Sequence, residues 1–216
     1  MSSAKYSLGE EIAHSVSHGI GVILSGVGLG FLIWLSLEYG DAWHLASSII
    51  YGFSLILLYS ASTLYHAITN EKAKRFFQLM DHSAIFVLIA GTYTPFALVS
   101  LRGPWGWSLF AVVWTIAFAG ILLETLKKER IKWLSLTLYL GLGWMALIVI
   151  KPMLEMVPAA GLWFLLAGGL SYSLGVIFYV RKQMLYHHAI WHLFVLAGSL
   201  LHFFAVIYGV ILPAQS

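Results

Sequence analysis

Nine histidines against only two aspartates are the chemistry-bearing residues of this 216-residue chain, and their spacing groups them. In His188-Ala189-Ile190-Trp191-His192, a spacing of four puts both imidazoles on one helical face about 40° apart, which suits two ligands of one zinc ion. His66, near the end of another apolar run, offers a third ligand, and a three-histidine set with an open fourth position is the catalytic rather than the closed structural zinc geometry. The chain has no cysteine, which excludes disulfides, thiol nucleophiles and thiolate metal sites, so a metal needs histidine and carboxylate. Relative to the HExxH helix of zinc proteases, Ala189 stands where the general-base Glu would be, so a carboxylate must come from elsewhere. Asp81 is the candidate, because a carboxylate beside a metal can orient a water and accept its proton. Its other reading is a solvated helix start or N-cap. Ser62, one turn before His66, is the second candidate catalytic residue, with helix packing as its alternative role.

A second pair at the same spacing, His14 and His18, has Glu11 three residues before it. Its place at the very start of an apolar run predicts a solvated helix N-terminus, with Glu near the positive end of the helix dipole. His82 lies about 100° round a helix from Asp81 and is expected to point elsewhere. His187 is a second-choice ligand. His44 starts the second apolar run at its other end. His202 is about 21 Å along a helix from His188, which takes both away from the cluster.

The elements that must position these residues are membrane spans. Hydrophobic residues make up 60% of the chain, about 130 positions, charged residues only 10%, and a spanning helix takes about 20 positions. Apolar runs predict seven spans at about 18–37, 43–66, 82–100, 105–125, 133–151, 159–180 and 188–212. They are continuous rather than alternating, which excludes a β-barrel. The fold class is therefore all-α: residues 1–216 form a single seven-helix transmembrane domain, and no signal-peptide pattern precedes it. Ten of the twelve Lys and Arg residues fall on one side: Lys5, Lys72, Lys74, Arg75, Lys127, Lys128, Arg130, Lys132, Arg181 and Lys182. Only Arg102 and Lys151 oppose them, so the N-terminus is expected in the cytoplasm and the C-terminus outside. Span 2 then ends at His66 on the face where span 3 begins with Asp81 and span 7 begins with His188 and His192. The net charge of +3 is too small and too dispersed for nucleic-acid binding. Gly21, Ser25, Gly26, Gly28 and Gly30 mark span 1 for close helix packing. Pro95, after Thr92 and Thr94, marks span 3 for a kink whose freed carbonyls the hydroxyls can satisfy. Trp34, Trp43, Trp105, Trp107, Trp133 and Trp163 near span ends form an interfacial belt.

Together, Glu11 to His18, Ala61-Ser62-Thr63-Leu64-Tyr65-His66-Ala67, Asp81, Ala90-Gly91-Thr92-Tyr93-Thr94-Pro95-Phe96 and the His188 to His192 motif resemble the hemolysin III family. That family is the bacterial branch of the progestin and adipoQ receptor superfamily, and the similarity covers nearly the whole chain. In the related adiponectin receptors the corresponding three histidines bind zinc and the Asp of the third span holds a zinc-bound water. The resemblance implies those roles for His66, His188, His192 and Asp81, with Zn²⁺ as cofactor and the bacterial inner membrane as location. His14 departs from the family's first motif, which usually has Asn there, and so offers an alternative ligand.

Three classes of function follow. The first is a zinc-dependent, ceramidase-like hydrolase that cleaves an amide or ester of a membrane lipid. The second is a non-enzymatic sensor or membrane homeostasis factor whose structural zinc clamps spans 2 and 7. The third, a lytic protein or an ion path, follows the family's name, but spans 4, 5 and 6 offer almost no central ionisable groups for a relay.

Overall fold

The computed structural model describes residues 6–126 and 132–212, apart from the side chain of Lys132; Lys5, Lys127, Lys128 and Arg130 lie outside the described residues. Continuous apolar sequence leaves the backbone no water to bond in a bilayer, and helix is the state that satisfies it internally. Accordingly the chain is a succession of helices: α1 (Leu8–Tyr39), α2 (Ala42–Ala67), α3 (Glu71–Pro95), α4 (Pro104–Leu126), α5 (Lys132–Gly143), α6 (Ile150–Met156), α7 (Ala159–Val180) and α8 (His187–Val206). Among the described residues seven helical segments are long and apolar enough to cross a membrane, with α5 and α6 contributing to one of them. The protein is a seven-helix integral membrane bundle.

Two starts lie further upstream than the apolar runs suggest. α1 begins at Leu8 instead of near residue 18, with Ser7 and Glu10 closing a capping box at its start. α3 begins at Glu71 instead of near residue 82, with the Asn70 side chain accepting from the Lys72 and Ala73 amides. Asp81 is therefore not an N-cap; it sits ten residues inside α3. Polar first turns hid both extensions from a reading based on hydropathy alone.

The largest buried side chains include Tyr51, Tyr59, Phe86 and Phe96, whereas Ile23, Val27, Phe118 and Trp163 are exposed, as lipid-facing residues are. Small residues set the closest approaches. A Cβ on Gly21 would lie 2.7 Å from the Tyr59 ring, so α1 can meet α2 there only without a side chain. Gly26 and Gly30, by contrast, face open space, so the small-residue stripe of span 1 packs only in part. Thr92 and Thr94 donate to the Leu88 and Ala90 carbonyls, and past Pro95 the helix widens into a π-helical stretch at Phe96–Ser100. Between α5 and α6, where Met145–Val149 form a 3₁₀ segment, the Tyr93 hydroxyl donates to the Leu142 and Gly143 carbonyls and accepts from the Ala146 amide. One phenol thereby satisfies backbone groups freed at a helix break in an apolar environment.

Candidate metal centre

α1 begins, α2 ends, α3 begins and α8 begins at one end of the bundle. Four imidazoles meet there: His14 from α1, His66 from the last turn of α2, and His188 and His192 from the first turns of α8. All are buried, His14 and His192 almost completely. His66, His188 and His192 each offer a ring nitrogen, and these atoms lie within 4.8 Å of one another. Glu11, His14 and His66 form a second set within the same limit.

The partners of these rings define their tautomers. His66 Nδ1 is 2.6 Å from Glu11 Oε2; a carboxylate accepts, so Nδ1 carries the proton. That leaves His66 Nε2 as a lone-pair donor atom, buried and without a hydrogen-bond partner. His192 Nδ1 is 3.2 Å from the His14 carbonyl, which also accepts only, so its Nε2 is likewise the free lone pair. Ser17 completes this support: its hydroxyl donates to the His14 carbonyl at 2.9 Å and accepts from His192 Nδ1 at 3.1 Å. A ligand histidine that gives its other N–H to a carboxylate or carbonyl is the usual outer support of a metal site, because it holds the ring's orientation and raises its basicity. The donor set and its orphaned nitrogen thus fit a borderline-soft divalent ion such as zinc.

Other residues build the surround. His18, with neither ring nitrogen hydrogen-bonded, stacks on His192 at 3.5 Å between centroids and 6° between planes. Tyr59, admitted by Gly21, meets the His18 ring edge-on at 5.0 Å and donates to Ser199 Oγ at 2.7 Å. Glu11 also takes Lys74 Nζ at 2.7 Å, so both of its oxygens are engaged. Tyr6, just before α1, lies over the cluster, its ring 4.8 Å from His14 and stacked at 5.3 Å on His188. Burial, with Tyr65 and Tyr179 nearby, holds the Tyr6 phenol protonated well above its ordinary range.

Asp81, Ser62, His18, His188 and His192 line one end of a cavity of roughly 150 Å³ between α2, α3, α5, α7 and α8. Its other walls are mostly apolar, and it reaches His202, about 21 Å along α8 from His188. Ser62 Oγ is buried and has no hydrogen-bond partner.

The residues singled out from spacing therefore converge: His66, His188 and His192 as one group, with Asp81 and Ser62 on the wall of the cavity that His188 and His192 share. His44 and His202 stand apart, the former beside Asp41 at the opposite end and the latter 3.2 Å from the Leu165 carbonyl. His187 is tied through Nδ1 to the Phe178 carbonyl at 3.1 Å. Three expectations are corrected. His14 and His18 are not solvated, because α1 starts ten residues early and carries them into the bundle. His82 does not turn away from Asp81's surroundings but lines the same cavity. Glu11, expected beside the positive end of the α1 dipole, instead accepts from His66 Nδ1 on α2. Its signal was present, since Glu11, His14 and His18 at spacings of three and four form one helical stripe.

Fold and site together define a class: a polytopic membrane protein with a buried His/Glu cluster able to bind a metal ion. Comparison with known proteins narrows it. A family model described as Haemolysin-III related matches residues 6–203, and the chain belongs to that family. It is 47% identical over 203 residues to a "Hemolysin-3 homolog" of Bacillus subtilis (strain 168), covering 94% of this chain and 95% of the relative. It is 46% identical over 207 residues to a "Hemolysin-3" of Bacillus cereus, covering 96% and 94%. A human protein, "Monocyte to macrophage differentiation factor", is 30% identical over 203 residues, covering 91% of this chain and 83% of the relative.

Proposed function

We propose that residues 1–216 act as one seven-helix domain that holds Zn²⁺ on His66, His188 and His192 and hydrolyses an amide or ester bond of a membrane lipid. The observation that carries this reading is the cavity: polar at the end lined by His188, His192, Asp81 and Ser62, and apolar along a length suited to an acyl chain. When bound, zinc supplies Lewis acidity and brings the pKa of water down to about 7. The chain's own residues do the remainder. Glu11 orients His66 through Nδ1, and the His14 carbonyl orients His192. Asp81 accepts the proton of the attacking water and returns it to the leaving amine or alcohol as the acyl C–N or C–O bond breaks. Ser62 donates its unpartnered hydroxyl to the oxygen that gains charge. The apolar walls seat the acyl chain and keep bulk water out.

The charge distribution supports the orientation. Lys72, Lys74, Arg75, Arg181 and Lys182 lie at the histidine end and Arg102 and Lys151 at the other, so the site faces the cytoplasm, in a bacterial plasma membrane. The test is fatty-acid release from N-acyl and ester lipids by purified protein in nanodiscs. Wild type is expected to release product, and Asp81→Ala to retain the metal but lose release; equal background rates in both would overturn the reading.

One observation favours a second reading, a membrane homeostasis factor with structural zinc: the cluster joins α1, α2 and α8, elements far apart in sequence. On that reading His66→Ala lowers both zinc content and thermal stability, while Asp81→Ala leaves the membrane phenotype unchanged.

A further inference from the structure

The chemistry proposed above uses the histidine end of the cavity; its far end carries a polar group that the protein leaves unused. His202 lines that end, and its Nε2 is 3.2 Å from the Leu165 carbonyl of α7. A carbonyl only accepts, so Nε2 carries the proton and Nδ1 is an open lone pair. A Cβ on Gly168 would overlap the Cδ2–Nε2 edge of the ring, so that edge is pressed against α7 and Nδ1 lies on the opposite edge. Nothing among the described residues donates to His202 Nδ1.

The neighbouring donors on the cavity wall are already spent. The Thr92 hydroxyl donates to the Leu88 carbonyl at 2.8 Å, and the Tyr93 hydroxyl to the Leu142 and Gly143 carbonyls at 3.0 and 2.8 Å. Ser173 donates to the Gly169 carbonyl at 2.8 Å and accepts from the Trp144 indole at 3.0 Å, while the Tyr172 hydroxyl pairs with Ser199 Oγ at 2.7 Å. The far end thus offers a ligand apolar surface and one vacant acceptor. An acceptor left dry in such a place costs free energy, and a ligand hydroxyl set against it recovers that cost. Length fixes where the hydroxyl must be. His202 is ten residues beyond His192, about 15 Å along α8. With carbon–carbon bonds of about 1.5 Å, an extended alkyl chain advances roughly 1.25 Å per bond. A chain whose carbonyl stands beside Asp81 and Ser62 therefore passes His202 at about its twelfth carbon.

We propose that His202 Nδ1 accepts a hydrogen bond from a hydroxyl in the middle of the substrate's acyl chain, so that the cavity selects mid-chain hydroxylated acyl groups over plain ones. This rests on the acyl-lipid reading above and names its substrate class. Water is the other occupant that this acceptor admits, and with water there plain and hydroxylated chains bind alike.

The test reads binding without turnover: displacement of a fluorescent fatty acid from full-length protein in nanodiscs, corrected for empty nanodiscs. The probes are stearate, stearate hydroxylated at its twelfth carbon, and the isomer hydroxylated at its fifth. Wild type is expected to bind the first isomer roughly 3- to 10-fold more tightly than stearate, the worth of one neutral hydrogen bond. The second isomer should gain nothing, and His202→Leu should bind all three alike. Equal affinity of wild type for the three acids, or a preference that survives in His202→Leu, overturns the proposal. If His202→Leu does not fold, the isomers decide in wild type: a gain confined to the twelfth carbon supports the proposal, and an equal gain at the fifth overturns it. Wild type that shows the expected order yet releases no fatty acid from lipids would overturn the hydrolase and leave this site standing. Wild type that binds none of the acids would remove the acyl seat, and the proposal with it.

Discussion

Two histidine–carboxylate pairs sit at opposite ends of the bundle, and chemically they are nearly the same. His44 Nδ1 is 2.8 Å from Asp41 Oδ1, and His66 Nδ1 is 2.6 Å from Glu11 Oε2. What differs is where the partners come from. Asp41 and His44 are three residues apart, and their contact is a capping box at the start of α2, with the Asp41 side chain 52% exposed. Arg102 lies 3.6 Å from Asp41 and stacks over Trp43, and the hydrogen bond from His44 holds the Asp41 carboxyl below its ordinary range. Glu11 and His66 are 55 residues apart on different helices, and the His66 side chain is fully buried. A local, solvated pair satisfies a helix end and is worth little more. A buried pair between helices fixes a tautomer, and losing the carboxylate leaves the buried His66 Nδ1–H without its acceptor. The same two functional groups cap a helix at one end and, at the other, orient a buried imidazole of a cluster that could hold a metal ion.

This contrast is open to attack at four points, beginning where the effect is largest. His66→Ala and His192→Ala are each expected to abolish zinc binding, from about one equivalent to none by elemental analysis, and to lower the melting temperature. His44→Ala should keep its full equivalent; a loss of metal there would remove the distinction between the two ends. Next, Asp81→Ala is expected to retain zinc while slowing lipid hydrolysis by about 10²- to 10⁴-fold, the usual contribution of a general base. Arg102→Ala, at the capped end, should leave the rate unchanged. Third, Glu11→Gln is expected to weaken zinc affinity by roughly 10- to 100-fold in chelator competition, because His66 loses its anionic acceptor. Asp41→Asn makes the matching change in the other pair and should leave affinity untouched. The smallest effect is expected from Asp41→Ala, a loss of about 1 kcal/mol from the α2 cap, seen as a small drop in melting temperature at constant metal content.

The spans were legible because lipid exposure demands apolar side chains on every outward face, so the hydropathy record is continuous from about residue 18 onward. The His188 and His192 pair was legible because two rings four residues apart share a face on any helix. The early starts of α1 and α3 were not, since Glu10, Glu11, Lys72, Lys74 and Arg75 are what an aqueous loop would also carry. They became helix through the Ser7 and Asn70 caps, a local signal that a hydropathy window averages away. Placing His14 and His18 in solvent hid the two imidazoles that pack closest against the rest of the cluster, and with them the carboxylate that orients His66.

Composition and spacing alone determined that this chain is a helical membrane bundle and singled out His66, His188 and His192, because a bilayer makes polar groups scarce and their spacing on helices informative. The partners of those residues were decided only by tertiary structure. Whether Glu11 serves solvent or His66, and whether His14 faces water or three other imidazoles, depends on how α1 packs between α2 and α8. That packing is set by close approaches such as Gly21 beneath Tyr59, contacts between helices that no spacing along one helix encodes.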